Sequence, residues 1–451
     1  MNIGIIGAGT MGMTLGYRLA KAGHEVTILE SAGQEGGLAT WHDYGDFVWD
    51  KYYHVILKQD AHLLGLIDEL GISSKMQWRE TKTGFLWNGK LVSMSNNWEF
   101  LKFPVLSLFA KLRLGLGILY IQRVNDAAPL ERVTATAWLR RVFGRTVYER
   151  IWEPLLESKY GTLKDRVPAT IMWATIRRYY ATRNRGDGKE TLGFLSGGLR
   201  TFYASLREAI EDAGGSIETG VAVGRIEADA DGISVVVGDD SRSFDRVIST
   251  VPSRILEKLA PDVDLDRSDE GAKPQFLGVI CMSLILRKPL TKFYVTNLVE
   301  RGLPFTGIIE LTALTGPREM NGRHLVMLPR YDTPDSAWFD RPDSEISNEF
   351  LGALRRIWPK IDENIVGYDV NRTRLVQALW IDQPPTKHGP AIFADGRLWS
   401  VNAELAGRDT LNNNAIIHVA NTAAETIDVA CREAAELTLN SADATPSPVA
   451  K

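Results

Sequence analysis

The chain has 451 residues, 44% of them hydrophobic and 24% charged, an ordinary globular balance that excludes wholesale disorder. At about 150 residues per domain it has room for two to four domains, or for one large two-part enzyme. Its formal charge is −4 and its pI 6.1, which argues against a dedicated nucleic-acid binder. Two cysteines, Cys281 and Cys431, are too few for a disulfide scaffold or a cysteine-rich zinc site, and they fit a reducing cytoplasm.

The first residues, from Met1 to Gly7, begin an apolar run at once, so no cleavable leader is expected. No uncharged apolar run reaches the roughly eighteen residues of a spanning helix, so none is expected. Residues 2–6 read as a short strand. Gly7-Ala8-Gly9-Thr10-Met11-Gly12 follows, then a helical pattern through Leu15, Leu19 and Ala20, then a second strand, His24 to Glu30, ending in an acid. Strand, G-x-G-x-x-G, helix, strand and acid in one βαβ unit form a dinucleotide-binding fingerprint. Gly7 serves the tight turn, Gly9 lets backbone approach a diphosphate, and Gly12 lets helix and strand pack closely. The helix N-terminus supplies free N–H groups to the anion. Glu30 suits a ribose hydroxyl, which favours FAD or NAD over NADP.

After Glu30 the chain continues through Gly36-Gly37-Leu38-Ala39 to Trp49-Asp50-Lys51-Tyr52-Tyr53-His54. A paired glycine just past the ribose acid lets backbone pass a second segment of ligand. On these residues the chain resembles the superfamily of flavin-containing amine oxidases, protoporphyrinogen oxidases and phytoene desaturases. There an E-x-x-x-x-x-G-G loop runs along FAD, and an F-D-x-G-x-H-like segment follows. Tyr52 and Tyr53 stand where that family has glycine. The resemblance implies FAD as cofactor and an α/β fold: a Rossmann-like FAD-binding domain of the glutathione-reductase-2 type, a discontinuous α+β substrate domain and a helical insert. Expected boundaries are 1–95, 191–270 and 391–437 for the FAD domain, 96–190 for a helical cap, 271–390 for a β-rich substrate domain and 438–451 for a disordered tail.

Residues 192–252 return to alternating helix and strand: Gly193–Leu199 opens a helix running to Ala213, and a strand starts at 216–219. Residues 223–226 lead to an apolar strand at 232–237, and a last strand runs through Phe244 to Pro252. In the resembled family this is the returning half of the FAD domain. A backbone segment there, equivalent to Val221–Val223, contacts adenine. A terminal strand and helix are read at 396–402 and 412–427. Asn402-Ala403-Glu404 replaces the family's G-D beside the flavin, which makes Asn402 the candidate contact. Pro154-Leu155-Leu156 and Lys159-Tyr160-Gly161 resemble a stretch of protoporphyrinogen-oxidase-like proteins.

The helical insert is basic. From Leu101 to Glu190 there are seventeen basic and eight acidic residues, a local +9 that leaves −13 for the remainder. Leu101 to Arg123 holds Lys102, Lys111, Arg113 and Arg123 with no acid. Two readings stand: a packed cap with a solvated basic rim, or a face turned to an anionic apolar environment. The second means either peripheral contact of 101–123 with the inner face of a membrane, or an anionic substrate.

No metal site is expected, since His24, His42, His54, His62, His324, His388 and His418 are scattered. Neither a nucleophile elbow nor a P-loop occurs, and there is no second glycine fingerprint for NAD(P)H. The expectation is an FAD-dependent oxidoreductase removing hydride from a C–H bond of an apolar or anionic small molecule. Its catalytic candidates are His54, beside the flavin face, and Glu310, at a strand end. The alternative is a non-redox flavoenzyme like UDP-galactopyranose mutase, acting on a sugar nucleotide. Oligomeric state is left open.

Overall fold

The computed structural model describes residues 1–183, 189–229, 232–265, 273–381, 389–407 and 411–443. The N-terminal strand Asn2–Ile6 lies at the centre of a six-stranded sheet. Glu25–Glu30 and then Ser216–Thr219 flank it on one side; Arg246–Ser249, Leu398–Ser400 and Ala391–Phe393 lie on the other. All pairs are parallel except the last, which is an antiparallel edge. The central strand is apolar and almost wholly buried, as a strand covered on both faces must be. On one face helices Thr10–Lys21, Leu199–Asp212 and Asn413–Asp443 share a core through Leu15, Leu19, Phe202, Leu206, Ile417 and Ala420. On the other, the three-stranded sheet Val223–Ala228, Ile233–Val237 and Asp240–Phe244 packs Ile226 and Val235 against Ile6 and Leu29.

A seven-stranded sheet forms the second layer, in the order Ile365–Leu379, Gln275–Leu286, His324–Asp332, Gly307–Glu310, Val295–Leu298, Thr83–Trp87 and Lys90–Ser93. Its spine, Gln275–Leu286, is buried from Phe276 onward. One face carries helix Asp343–Ile357. The opposite face meets Tyr44, Trp49 and Tyr52 of the N-terminal part. Helices between 97 and 181 form the cap, with a core around Phe103, Leu139, Phe143 and Tyr148.

Several expectations are corrected. A boundary at residue 95 would leave Thr83–Trp87 and Lys90–Ser93 in the cofactor unit, yet Thr83–Trp87 pairs in parallel with Val295–Leu298 of the second sheet. The single strand read through Phe244 to Pro252 is two. At Asp245 the chain turns, held by the Asn2 N–H on the Asp245 carboxylate at 2.8 Å and the Asp245 N–H on the Asn2 carbonyl at 2.9 Å. The last helix runs to Asp443, beyond the expected start of the tail at 438. Residues 444–451 of that tail, and His388, lie outside the described residues. Strand Ile365–Leu379 gives little sequence signal because Asp369, Asn371, Arg372, Thr373 and Arg374 crowd its centre. It is an edge strand, so one side meets solvent.

Candidate active site

The fingerprint loop closes as its spacing predicts. Gly7 has φ +102, and its N–H donates to the Leu29 carbonyl at 2.8 Å. A Cβ on Gly12 would stand 1.9 Å from the Gly7 carbonyl oxygen, so only glycine lets the helix seat against the strand. Gly9 differs: a Cβ there would meet nothing nearer than Gly37 Cα at 3.8 Å. The space in front of Gly9 is open, and helix Thr10–Lys21 begins there with no side-chain cap on its amides. Uncapped N–H groups at the positive end of a helix dipole, faced by a side-chain-free backbone, are what a diphosphate requires. Met11 and Gly12 are buried behind them.

The paired glycines come to the same place. Gly36 (φ +105) donates its N–H to the Ala8 carbonyl at 2.8 Å, and Gly37 (φ +56) begins the short turn Gly37–Ala39 that carries Leu38. Glu30 Oε2 accepts the Ala8 N–H at 2.8 Å, and Oε1 accepts the Ala32 N–H at 2.8 Å. The N–H groups of Gly220 and Val221 donate to the carbonyls of Ala32 and Glu30, so the strand that starts at Val223 departs from beside the acid. Glu35 is clamped by Arg207 (Nε–Oε1 3.1 Å, Nη2–Oε2 2.8 Å), which holds its carboxyl below the usual range against the desolvation that raises it. These loops fit an extended dinucleotide.

Sequence reading missed the partners that lock this cradle. Thr10 Oγ1 shares a 2.6 Å hydrogen bond with the Tyr203 hydroxyl and donates to Asn413 Oδ1 at 3.1 Å, joining three helices. Thr250 Oγ1 donates to the Ile6 carbonyl at 2.8 Å beneath Gly7. Asn402 is placed differently from its expected part. Its side chain is buried and occupied, accepting the Glu404 N–H at 2.9 Å and donating to the Val251 carbonyl at 3.2 Å. Asn413, eleven residues on, is the one that meets Thr10.

His54 lines a cavity with Trp49, Asp50, Phe194, Leu199 and Thr315. Its Nδ1 lies 3.0 Å from the Tyr52 carbonyl, which can only accept, so Nδ1 carries the proton and Nε2 keeps its lone pair. Burial pushes the imidazole down to about 4. Asp50 Oδ1 accepts the Leu199 N–H at 2.8 Å, at the start of helix Leu199–Asp212, and burial pushes this carboxyl up to about 7. Desolvation thus outweighs the helix terminus. A neutral imidazole and a carboxyl titrating near neutrality line one apolar cavity, a pairing suited to moving a proton. Asp50 sits in the motif that led to His54 but was not singled out, because its role depends on burial.

The structure does not bring Glu310 into that cavity. Ile309 faces the core shared with Trp49 and Tyr52, and Ile308 packs with Phe350 on the opposite face. Glu310 alternates with Ile309, is 0% exposed, and has its carboxylate engaged. It accepts the N–H groups of Leu290 at 2.9 Å and Thr291 at 3.2 Å, and the Thr312 hydroxyl at 2.6 Å. Burial raises it to about 7. It anchors a loop.

Where cap and second sheet meet, the Tyr53 and Tyr331 hydroxyls bond at 2.6 Å. The Lys159 ammonium stands over the Tyr331 ring at 5.3 Å and the Tyr160 ring at 5.4 Å, and burial lowers it to about 8. No carboxylate pairs with Lys159 among the described residues. They also contain no cluster of side chains able to hold a metal ion.

A βαβ cradle for a dinucleotide, against a sheet-and-cap unit with a buried acid–base pair, is the layout of a dinucleotide-dependent oxidoreductase of α/β architecture. The profile of the family "flavin containing amine oxidoreductase" matches residues 12–380, and the chain belongs to that family. Its cofactor is FAD. The 15-cis-phytoene desaturase of Narcissus pseudonarcissus is 22% identical over 386 residues, covering 80% of this chain and 66% of that protein. The chain therefore spans about two thirds of that relative's length. An oxidoreductase of Methanosarcina mazei superposes with a TM-score of 0.72 at 20% identity, covering 94% of this chain and 100% of the other. A putative protoporphyrinogen oxidase of Exiguobacterium sp. 255-15 superposes with a TM-score of 0.71 at 14% identity, covering 95% and 98%. No helix among the described residues is long and apolar enough to cross a membrane.

Proposed function

We propose that this oxidoreductase removes hydride from a C–H bond of an apolar molecule that carries an anionic group. Lys159 is the observation that carries the substrate class. A half-buried ammonium held by two tyrosine rings without a carboxylate is a poor structural ornament, because desolvating a charge costs more than two cation–π contacts of about 1 kcal/mol each return. A carboxylate or phosphate arriving with substrate would complete it. From Tyr331 the hydrogen bond to Tyr53 leads to His54, the next residue in the chain. The apolar part of the molecule would lie along these rings.

Bound flavin supplies the acceptor for the hydride's two electrons. Oxidation also releases a proton, and His54 Nε2 is the group free to take it, with Asp50 beside the same cavity to pass it on. Trp49, Phe194 and Leu199 keep water away from the reacting carbon. Oxygen or a quinone would take the electrons on. A mutase acting on sugar nucleotides has no support from the family match.

The test is anaerobic mixing of the FAD-loaded protein with a panel: an aliphatic amine, a long-chain polyene carboxylate, a prenyl phosphate and a UDP-sugar. Bleaching of the flavin's visible band by an apolar anion is expected. Isomerisation of the UDP-sugar by pre-reduced protein, with no member bleaching the oxidised flavin, would overturn the reading.

A further inference from the structure

We propose that the cap helix Leu108–Arg123 docks the protein onto an anionic lipid surface. Apart from Lys111, Arg113, Gln122 and Arg123, every residue of the helix is apolar. Ala110, Leu114, Gly117 and Ile121 are buried against the cap core, with Gly117 fitted so closely under Phe143 that a Cβ would meet the ring at 2.5 Å. At about 100° per residue the opposite face carries a second apolar stripe. Phe109 is 86% exposed, Leu108 71%, Leu112 61%, Leu116 56%, Tyr120 54% and Leu119 44%. These six side chains fall within about a third of the helix circumference. Single exposed apolar residues are normal on a soluble protein; a contiguous stripe of large ones marks a surface that meets something apolar.

The charges around the stripe select lipid. No acidic residue occurs from Leu101 to Arg123. Lys102 stands over the ring of Trp98, itself 65% exposed, at 4.8 Å. Arg113 and Arg123 flank the stripe, and their guanidinium groups reach only backbone carbonyls: Val142 and Arg141 for Arg113, Leu119 for Arg123. None of Lys102, Arg113 and Arg123 meets a carboxylate among the described residues. Lys111, expected in the same basic set, points the other way. It is buried and donates to the Leu101 carbonyl at 2.6 Å, tying the preceding short helix, which bears Trp98, to this one. The stripe lies along a single helix with basic groups beside it and no acid. An interfacial helix with apolar side chains below the headgroups and basic groups at their level suits it well. This holds whatever the substrate is, since the stripe faces away from the cap core.

The test is co-sedimentation of the FAD-loaded protein with vesicles of phosphatidylcholine alone or mixed with phosphatidylglycerol. Sedimentation with the mixed vesicles at low salt, and release at high salt, are expected. The triple variant Phe109→Ser/Leu112→Ser/Leu116→Ser should remain in solution with flavin content and melting temperature intact, because all three side chains are exposed. Lys102→Gln and Arg123→Gln should each weaken partitioning roughly fivefold. Wild-type protein left in solution with both vesicle types, or a triple variant that still sediments, would overturn the proposal. So would a wild-type dimer in solution that the triple variant abolishes, with no vesicle binding, since the stripe would then cover a second copy.

Discussion

Glu30 accepts the Ala8 N–H at 2.8 Å through Oε2, which ties the end of the second strand to the first glycine loop. The acid at the end of the second strand therefore shapes the first glycine loop, and binding a ribose hydroxyl is its expected second part. Glu30→Ala should weaken FAD by about 1.5–3 kcal/mol, for lost charge-assisted bonds, and should also lower the melting temperature of the apoprotein. Fluorescence titration with FAD and a thermal scan without it separate the two effects. An unchanged FAD affinity would show that the acid only holds the loop.

Two glycines three residues apart in the same loop should fail in different ways. Gly9 has ordinary φ (−74) and room for a side chain, so Gly9→Val should fold normally and lose FAD. Gly12→Ala drives a methyl into the Gly7 carbonyl and should instead destabilise the fold, by about 1–3 kcal/mol of overpacking or more. Flavin content and denaturant unfolding, measured on both, check the contrast.

Lys159 should govern the affinity of an anionic substrate. Lys159→Met keeps the length of the side chain and removes its charge, and should raise KM at least tenfold with little change in kcat. Because burial brings the ammonium down to about 8, wild-type affinity should fall as pH rises through that value, and the variant should show no such step. A pH profile of KM for both proteins reads this directly.

His54 gives stability a defined pH dependence. Its folded value near 4 lies below the ordinary 6.5, so the unfolded chain binds the extra proton between those limits. Its contribution is complete above about 6.5 and is lost as pH falls toward 4, by about 3 kcal/mol at ~1.4 kcal/mol per unit. Asp50, raised to about 7, works in the opposite sense, with its share of stability falling as pH rises toward 7. The His54→Phe variant should therefore lose the acid-side decline that His54 causes. Melting temperatures from pH 4 to 7 for the two proteins test it.

Glu310 separates anchoring from chemistry. Glu310→Ala leaves the N–H groups of Leu290 and Thr291 without their acceptor and should destabilise the protein by about 2–4 kcal/mol. Activity per bound flavin should be unchanged at a temperature where the variant is folded. A large drop in that activity would return Glu310 to the reaction.

The cradle was legible because its physics is local. The turn at Gly7, the open approach at Gly9, the close contact at Gly12 and the acid at Glu30 are all set within one βαβ unit, and each lies where its spacing placed it. What depends on distant segments was not legible. Thr10 meets Tyr203 and Asn413 only after the chain has returned twice. Glu310 read as a strand-end acid, but which face of the sheet it takes follows from the alternation with Ile309 and from the loop at Leu290 folding over it. Asp50 and Lys159 owe their character to burial by segments more than a hundred residues away. The exposed stripe was half legible: its lack of acids shows in the sequence, whereas the inward turn of Lys111 does not.

The most direct test of hydride removal uses deuterium. The substrate that bleaches the flavin in the anaerobic panel would be deuterated at the carbon it loses hydrogen from, and bleaching followed by stopped flow. The rate should fall severalfold, with one oxidised product formed per flavin reduced and the label absent from that carbon. An isomer as product, with every deuterium retained and the flavin still oxidised, would contradict the account.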